Sequence, residues 1–200
     1  SRLGYQNLCR MITQAKLRAA KNASRIRWSE LEIFAEGLIC LTGDEEGPVR
    51  RALMRGDRES ASLALTQLCR IFGHQHTFVE VQRHQVRGEV WMLRQLRDLA
   101  TCHRLPLLAT NGACYAEPGG RLVFDAFTCL RHHTHLDEAG ILLAKNAQRH
   151  LKSPREMAAL FADLPEAITN TLRLAERLTF TLKDLGLSLI HISEPTRRYS

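Results

Sequence analysis

The run Thr77-Phe78-Val79-Glu80-Val81-Gln82 decides the fold of this chain. It is short, rich in β-branched and aromatic residues, and apolar along most of its length, as suits a buried strand of a parallel sheet. Two similar runs lie on either side of it. Upstream, Leu38-Ile39-Cys40-Leu41-Thr42 is ended by Gly43 and the acidic turn Asp44-Glu45-Glu46-Gly47. Downstream stands Leu105-Pro106-Leu107-Leu108-Ala109-Thr110. The stretches between them have helical periodicity. Pro48 begins a helix that Gly56 closes, and Asp57 caps a longer one that turns Ala61, Leu65, Leu68 and Ile71 inward and ends at Gly73. Glu89 to His103 carries Leu93, Leu96 and Ala100 at helical spacing. Strand, helix, strand, helix, strand is the α/β pattern, with a parallel sheet and right-handed crossovers.

Helices are expected at both flanks. Tyr5 to Asn22 places Leu8, Met11, Ile12, Ala15 and Ala19 on one face, and Ser29-Glu30-Leu31 opens a short helix that stops at Gly37. After Thr110 the spacing predicts helices over Val123 to Arg131, Leu136 to Leu143, Pro154 to Phe161 and Pro165 to Leu178. Ser153-Pro154-Arg155-Glu156 is a capping box with proline in the first helical position. In the last helix Ile168, Leu172, Ala175 and Leu178 share one face. Residues 187–200 break this pattern, resemble translated adapter sequence, and are expected to be a non-native, disordered tail.

With 200 residues, 44% hydrophobic and 24% charged, the chain suits one soluble globular domain, or one and a fraction. No apolar run approaches the roughly eighteen residues of a membrane span, and no secretion leader is legible from Ser1 onward. A cytoplasmic protein that does not engage the membrane is the expectation. The formal charge of +7 leans towards polyanionic partners, but the basic residues are scattered. A solvated surface with a mild basic bias accounts for them. The six cysteines form no C-x-x-C pair, which disfavours a zinc finger or a disulfide scaffold and suits reduced, buried thiols.

Several strings, in order, resemble the PHP (polymerase and histidinol phosphatase) domain of bacterial C-family DNA polymerases, the DNA polymerase III α subunits. They are Gly4-Tyr5-Gln6-Asn7-Leu8, Ala35-Glu36-Gly37-Leu38-Ile39 before Thr42-Gly43, and Phe78-Val79-Glu80-Val81-Gln82-Arg83-His84. Leu105-Pro106, Ala109-Thr110-Asn111, Glu156-Met157, the run Leu160 to Ile168 and Asn170-Thr171 follow. Gln82-Arg83-His84, Thr128-Cys129-Leu130-Arg131-His132 and Arg149-His150-Leu151-Lys152-Ser153-Pro154 resemble the error-prone branch, associated with synthesis past DNA damage.

The resemblance implies a distorted PHP-type βα barrel over residues 1–152, and over residues 153–186 its helical end and the passage towards the polymerase palm. It further implies a parent DNA-directed DNA polymerase acting on DNA and deoxynucleoside triphosphates with magnesium, alongside replication or mutasome accessory proteins. The polymerase aspartates would lie beyond residue 186, so no catalytic residue and no cofactor are expected in this stretch. Metal-bearing PHP domains gather His, Asp, Glu and Cys at the strand ends to activate water against a phosphodiester. They follow the Thr-Gly turn with Cys, where this chain has Asp44, and Ala-Thr-Asn with Asp-x-His, where it has Gly112-Ala113-Cys114. No complete metal site is expected from these positions.

Glu80 and His84 remain candidates for a metal or phosphate, against a structural ion pair or hydrogen bond. His132-His133-x-His135 has metal-like density but no acidic or Cys partner at a known spacing, so it reads as a solvated helix end. Arg149, His150 and Lys152 form a short basic patch that could touch a DNA backbone, or line a surface loop. The alternative function is a free-standing PHP-type metal-dependent phosphoesterase.

Overall fold

The computed structural model describes residues 1–21 and 23–185, so the expected tail at 187–200 lies outside the described residues. The chain divides into two compact units, the first Ser1–Leu38 with the chain from Ala175, the second Ile39–Leu174. Among the described residues no helix is long and apolar enough to cross a membrane.

The first unit holds α1 (Arg2–Leu17) and α2 (Trp28–Phe34). Ser1 caps α1 by accepting from the Gly4 amide at 3.1 Å. The helix turns only part of the expected apolar stripe inward: Ala15 is buried, with Gly4 and Asn7 from outside the stripe, while Leu8 and Ile12 are 37% and 47% exposed. The rotation is set by a close backbone approach. A Cβ on Gly4 would collide with the Gly37 carbonyl, and Gly37 has φ +76°. Asn7 Nδ2 then donates to the Glu36 carbonyl at 3.0 Å, which satisfies its buried amide. Glu30 at the start of α2 is buried and accepts from Arg18 Nη2 at 2.8 Å and the Arg27 amide at 2.7 Å. These bonds, Arg18 first, pull its carboxyl down to about 2.

The second unit is a mixed α/β fold built on a three-stranded parallel sheet in the order β1-β2-β3, with β1 Cys40–Leu41, β2 Thr77–Gln82 and β3 Leu107–Thr110. The central strand has the bounds read from the sequence. All of its residues except Glu80 are buried, as for a strand covered on both faces. The edge strands are shorter than expected. The Glu80 amide is taken by Thr42 Oγ1 at 3.0 Å, so a side chain replaces the backbone ladder where β1 would continue. Pro106 has no amide, although its carbonyl accepts from Val79 at 3.0 Å just before β3.

Helices α3 (Pro48–Met54), α4 (Arg58–Phe72) and α5 (Glu89–Cys102) connect the strands. Asp57 caps α4 by accepting from the Ser60 amide at 2.8 Å, and Gly73 ends it at φ +84°. Ala61 and Leu65 are fully buried, with Leu68, Leu96, Leu99 and Met92 completing the helical layer. Later come α6 (Gly120–His132), α7 (Pro154–Leu160) and α8 (Pro165–Arg177). The helix expected over Leu136 to Leu143 does not form. Gly140 adopts φ +48° and only a 3₁₀ turn spans Gly140–Leu142, with Ile141 fully exposed.

α8 also presents a different face from the one read in the sequence. Ala167 and Leu174 are buried, and Leu172 is 62% exposed. Asn170 Nδ2 donates to Leu107 O and Thr171 Oγ1 to Ala109 O, both at 2.8 Å, so polar bonds to β3 orient the helix. Leu174 then joins Phe78, Leu108 and Ile39 in one apolar cluster. The cysteines depart from the expectation of burial too: Cys40 and Cys129 are buried, whereas Cys9, Cys102 and Cys114 are exposed. Burial pushes the Cys40 thiol up to about 12.

Candidate functional site

Because the three strands run parallel, the segments leaving them emerge at one edge of the sheet, where α/β folds place their ligand sites. Thr42-Gly43-Asp44 leaves β1, Arg83-His84 leaves β2, and Asn111-Gly112 leaves β3. The segment Asn146 to Lys152 runs across this edge. Asn146 Nδ2 donates to His84 O at 2.6 Å, and Asn111 Nδ2 to His150 O at 2.5 Å. The Cys114 amide donates to Arg149 O at 2.8 Å and Leu151 to Tyr115 O at 2.9 Å, giving a parallel bridge between Tyr115 and His150.

Three of the positions singled out in the sequence meet here. Arg149 Nη2 stands 3.2 Å from Asp44 Oδ2, and its Nε donates to Gly112 O at 2.9 Å. Asp44 is thus the counter-ion of a partly exposed arginine. Gly112 contributes its carbonyl, and at φ +52° it adopts a conformation that side chains rarely take. Cys114 is exposed, its Sγ 3.6 Å from Gly112 O.

Glu80 and His84 are not brought together; each has its own partners. Glu80 Oε1 accepts from Gln82 Nε2 at 2.8 Å and Thr110 Oγ1 at 2.5 Å. His84 is buried and donates from Nε2 to Asn111 O at 2.7 Å. Burial first, with the charges of Arg149 and Arg50 added, holds its imidazole below the usual histidine range and therefore neutral near pH 7. Beside the edge lies a cavity of about 310 Å³ whose lining includes Glu45, His84, Phe124, Arg131, Lys145 and Arg149.

Of the basic patch, His150 donates from Nδ1 to Ala147 O at 2.9 Å, and Lys152 Nζ to Gln148 O at 2.5 Å. Partial burial pulls the Lys152 ammonium down from its ordinary value. His132, His133 and His135 are exposed around the end of α6.

These residues do not fit the metal cluster that the strand-end resemblance implies. One donor is engaged by a guanidinium, a second position has no side chain, and Glu80 and His84 are each held by other groups. Among the described residues no group of three or more His, Cys, Asp and Glu stands close enough to hold a metal ion. What the arrangement does is tie four chain segments together with one arginine and a few amide bonds. Sequence spacing could not reveal the pairing of Asp44 with Arg149, because 105 residues separate them.

Residues 1–84 match the PHP domain. The chain is 35% identical over 186 residues to error-prone DNA polymerase 1 of Rhizobium meliloti, a match covering 93% of the chain and 16% of the relative. The error-prone DNA polymerase of Bradyrhizobium diazoefficiens is 36% identical over 190 residues, 92% of the chain and 16% of the relative. The DNA polymerase III subunit alpha of Caulobacter vibrioides is 34% identical over 184 residues, 88% of the chain and 15% of the relative. The chain spans about one sixth of the length of these relatives. It is thus similar to the PHP domain over residues 1–84 and, along about nine-tenths of its own length, to error-prone DNA polymerases and a DNA polymerase III α subunit.

Proposed function

We propose that this chain is the PHP part of an error-prone, DNA-directed DNA polymerase and serves that enzyme as a structural domain. The observation that carries the reading is the continuous 35% identity over 93% of the chain to an error-prone polymerase. In this reading residues 1–152 are the PHP domain, 153–186 its helical end towards the palm, and 187–200 a non-native tail. Nucleotidyl transfer on DNA and deoxynucleoside triphosphates, with magnesium, belongs to the rest of the parent protein, in the cytoplasm and alongside accessory replication proteins. The PHP edge works without its own metals: Asp44, Gly112 and Cys114 are substituted ligand positions, and Glu80 and His84 are structural.

Arg149, His150 and Lys152 brace the sheet edge; contact with a DNA backbone is secondary to that role. The test is to recover the flanking reading frame, purify the whole protein, and assay primer extension on intact and abasic templates. Extension past the abasic site is expected. A complete protein that neither extends primers nor encodes palm aspartates would overturn the reading.

A further inference from the structure

We propose that Arg149 is a built-in cation at this sheet edge, doing with a guanidinium what bound metal ions do in a metal-bearing strand-end site, and that Gly112 exists to make room for it. The inference deepens the structural reading given above and rests on it. Arg149 reaches in two directions at once, to Asp44 Oδ2 at 3.2 Å and to Gly112 O at 2.9 Å. A planar fork holds its two donor directions fixed, whereas an ammonium must make both bonds from one atom on a flexible stem. Through these bonds one positive charge links the segment leaving β1 to that leaving β3. The backbone of the same residue holds Cys114 at 2.8 Å, which adds the strand-like segment carrying Arg149 itself.

The fit at Gly112 is tight. A Cβ there would stand 2.9 Å from Arg149 Nη2 and 2.9 Å from Gln82 Oε1, so a side chain at this position would displace the ends of both side chains from their present places. Glycine at 112 therefore leaves open the space into which the arginine reaches. The arrangement is self-consistent, since Asp44 keeps a cationic partner and the strand-end carbonyl keeps a donor.

The test is a thermal unfolding cycle on the full chain with Arg149→Met, Asp44→Asn and the double variant, each with added manganese or zinc and with a chelator. The pair is partly exposed, so each single change is expected to lower Tm by about 2–4 °C, with the double variant no less stable than the worse single one. Arg149→Lys, mild enough to fold, should fall between wild type and Arg149→Met. Gly112→Ala should cost less in the Arg149→Met background than in wild type, because the backbone strain and the contact with Gln82 remain while the collision with the guanidinium is relieved. Neither metal nor chelator should move the wild-type Tm. Additive losses, an equal cost of Gly112→Ala in both backgrounds, or a wild-type Tm raised by either metal would each overturn the proposal. The cycle reads stability, so a parent protein without polymerase activity would refute the functional reading and leave this one standing.

Discussion

Replacing Phe161 by alanine should cost about 3–5 kcal/mol, the ordinary loss for a buried aromatic ring truncated to a methyl. Phe161 follows α7, and its ring is completely buried, as is Leu164 beyond it. The guanidinium of Arg83 lies over the ring, 4.9 Å from its centroid, and is held there by Asp163 at 2.5 and 2.8 Å and by Leu160 O at 2.8 Å. Cation–π contact adds about 0.5–1 kcal/mol to the apolar term. For a chain of this size the sum corresponds to a fall in Tm of roughly 7–24 °C. Phe161→Leu, which keeps most of the volume, should lose less than half as much.

The control is Phe127→Ala, at a ring 66% exposed, which should change stability by less than about 0.5 kcal/mol. Urea unfolding followed by far-ultraviolet circular dichroism reads all three; the midpoint should shift while the slope stays constant. A loss below about 1 kcal/mol for Phe161→Ala, or one equal to that of Phe127→Ala, would refute the view that the segment joining α7 and α8 closes a packed core.

Two further outcomes follow from local chemistry. Ser153 Oγ accepts from the Glu156 amide at 3.3 Å while Glu156 Oε2 takes the Ser153 amide at 2.8 Å, so Ser153→Ala should lower the urea-unfolding free energy by about 1 kcal/mol and Ser153→Asp should restore most of it. Glu30, whose carboxyl is depressed from 4.5 to about 2 by Arg18, contributes its stability fully above pH 4.5 and loses it as pH falls towards 2. Thermal unfolding of wild type and Glu30→Gln should therefore diverge near neutral pH and converge near pH 2; parallel profiles would show that the pairing contributes nothing.

The sequence by itself determined the elements whose signals are local. The central strand Thr77–Gln82 appears with the bounds read from its residues, because a strand buried on both faces must be apolar almost throughout. Helix starts at Pro48, Asp57 and Ser153 were equally legible, since a cap or an N-terminal proline acts within three or four residues of itself. Asp44 and Gly112 could also be singled out, because the strings before them resemble the family pattern.

Only the tertiary structure decided how those elements turn and what Asp44 and Gly112 touch. α1 is rotated by the approach of Gly4 to Gly37, and α8 by the hydrogen bonds of Asn170 and Thr171 to β3; an apolar stripe alone favoured other faces. Leu136 to Leu143 had the composition of a helix, but Gly140 takes a left-handed backbone there and Ile141 packs against nothing that would support one. Arg149 read as a surface charge because its partners stand 105 and 37 residues away. Hydrogen bonds between distant segments depend on which chain ends the sheet brings to one edge, and that is settled when the sheet closes, not by any spacing along the chain.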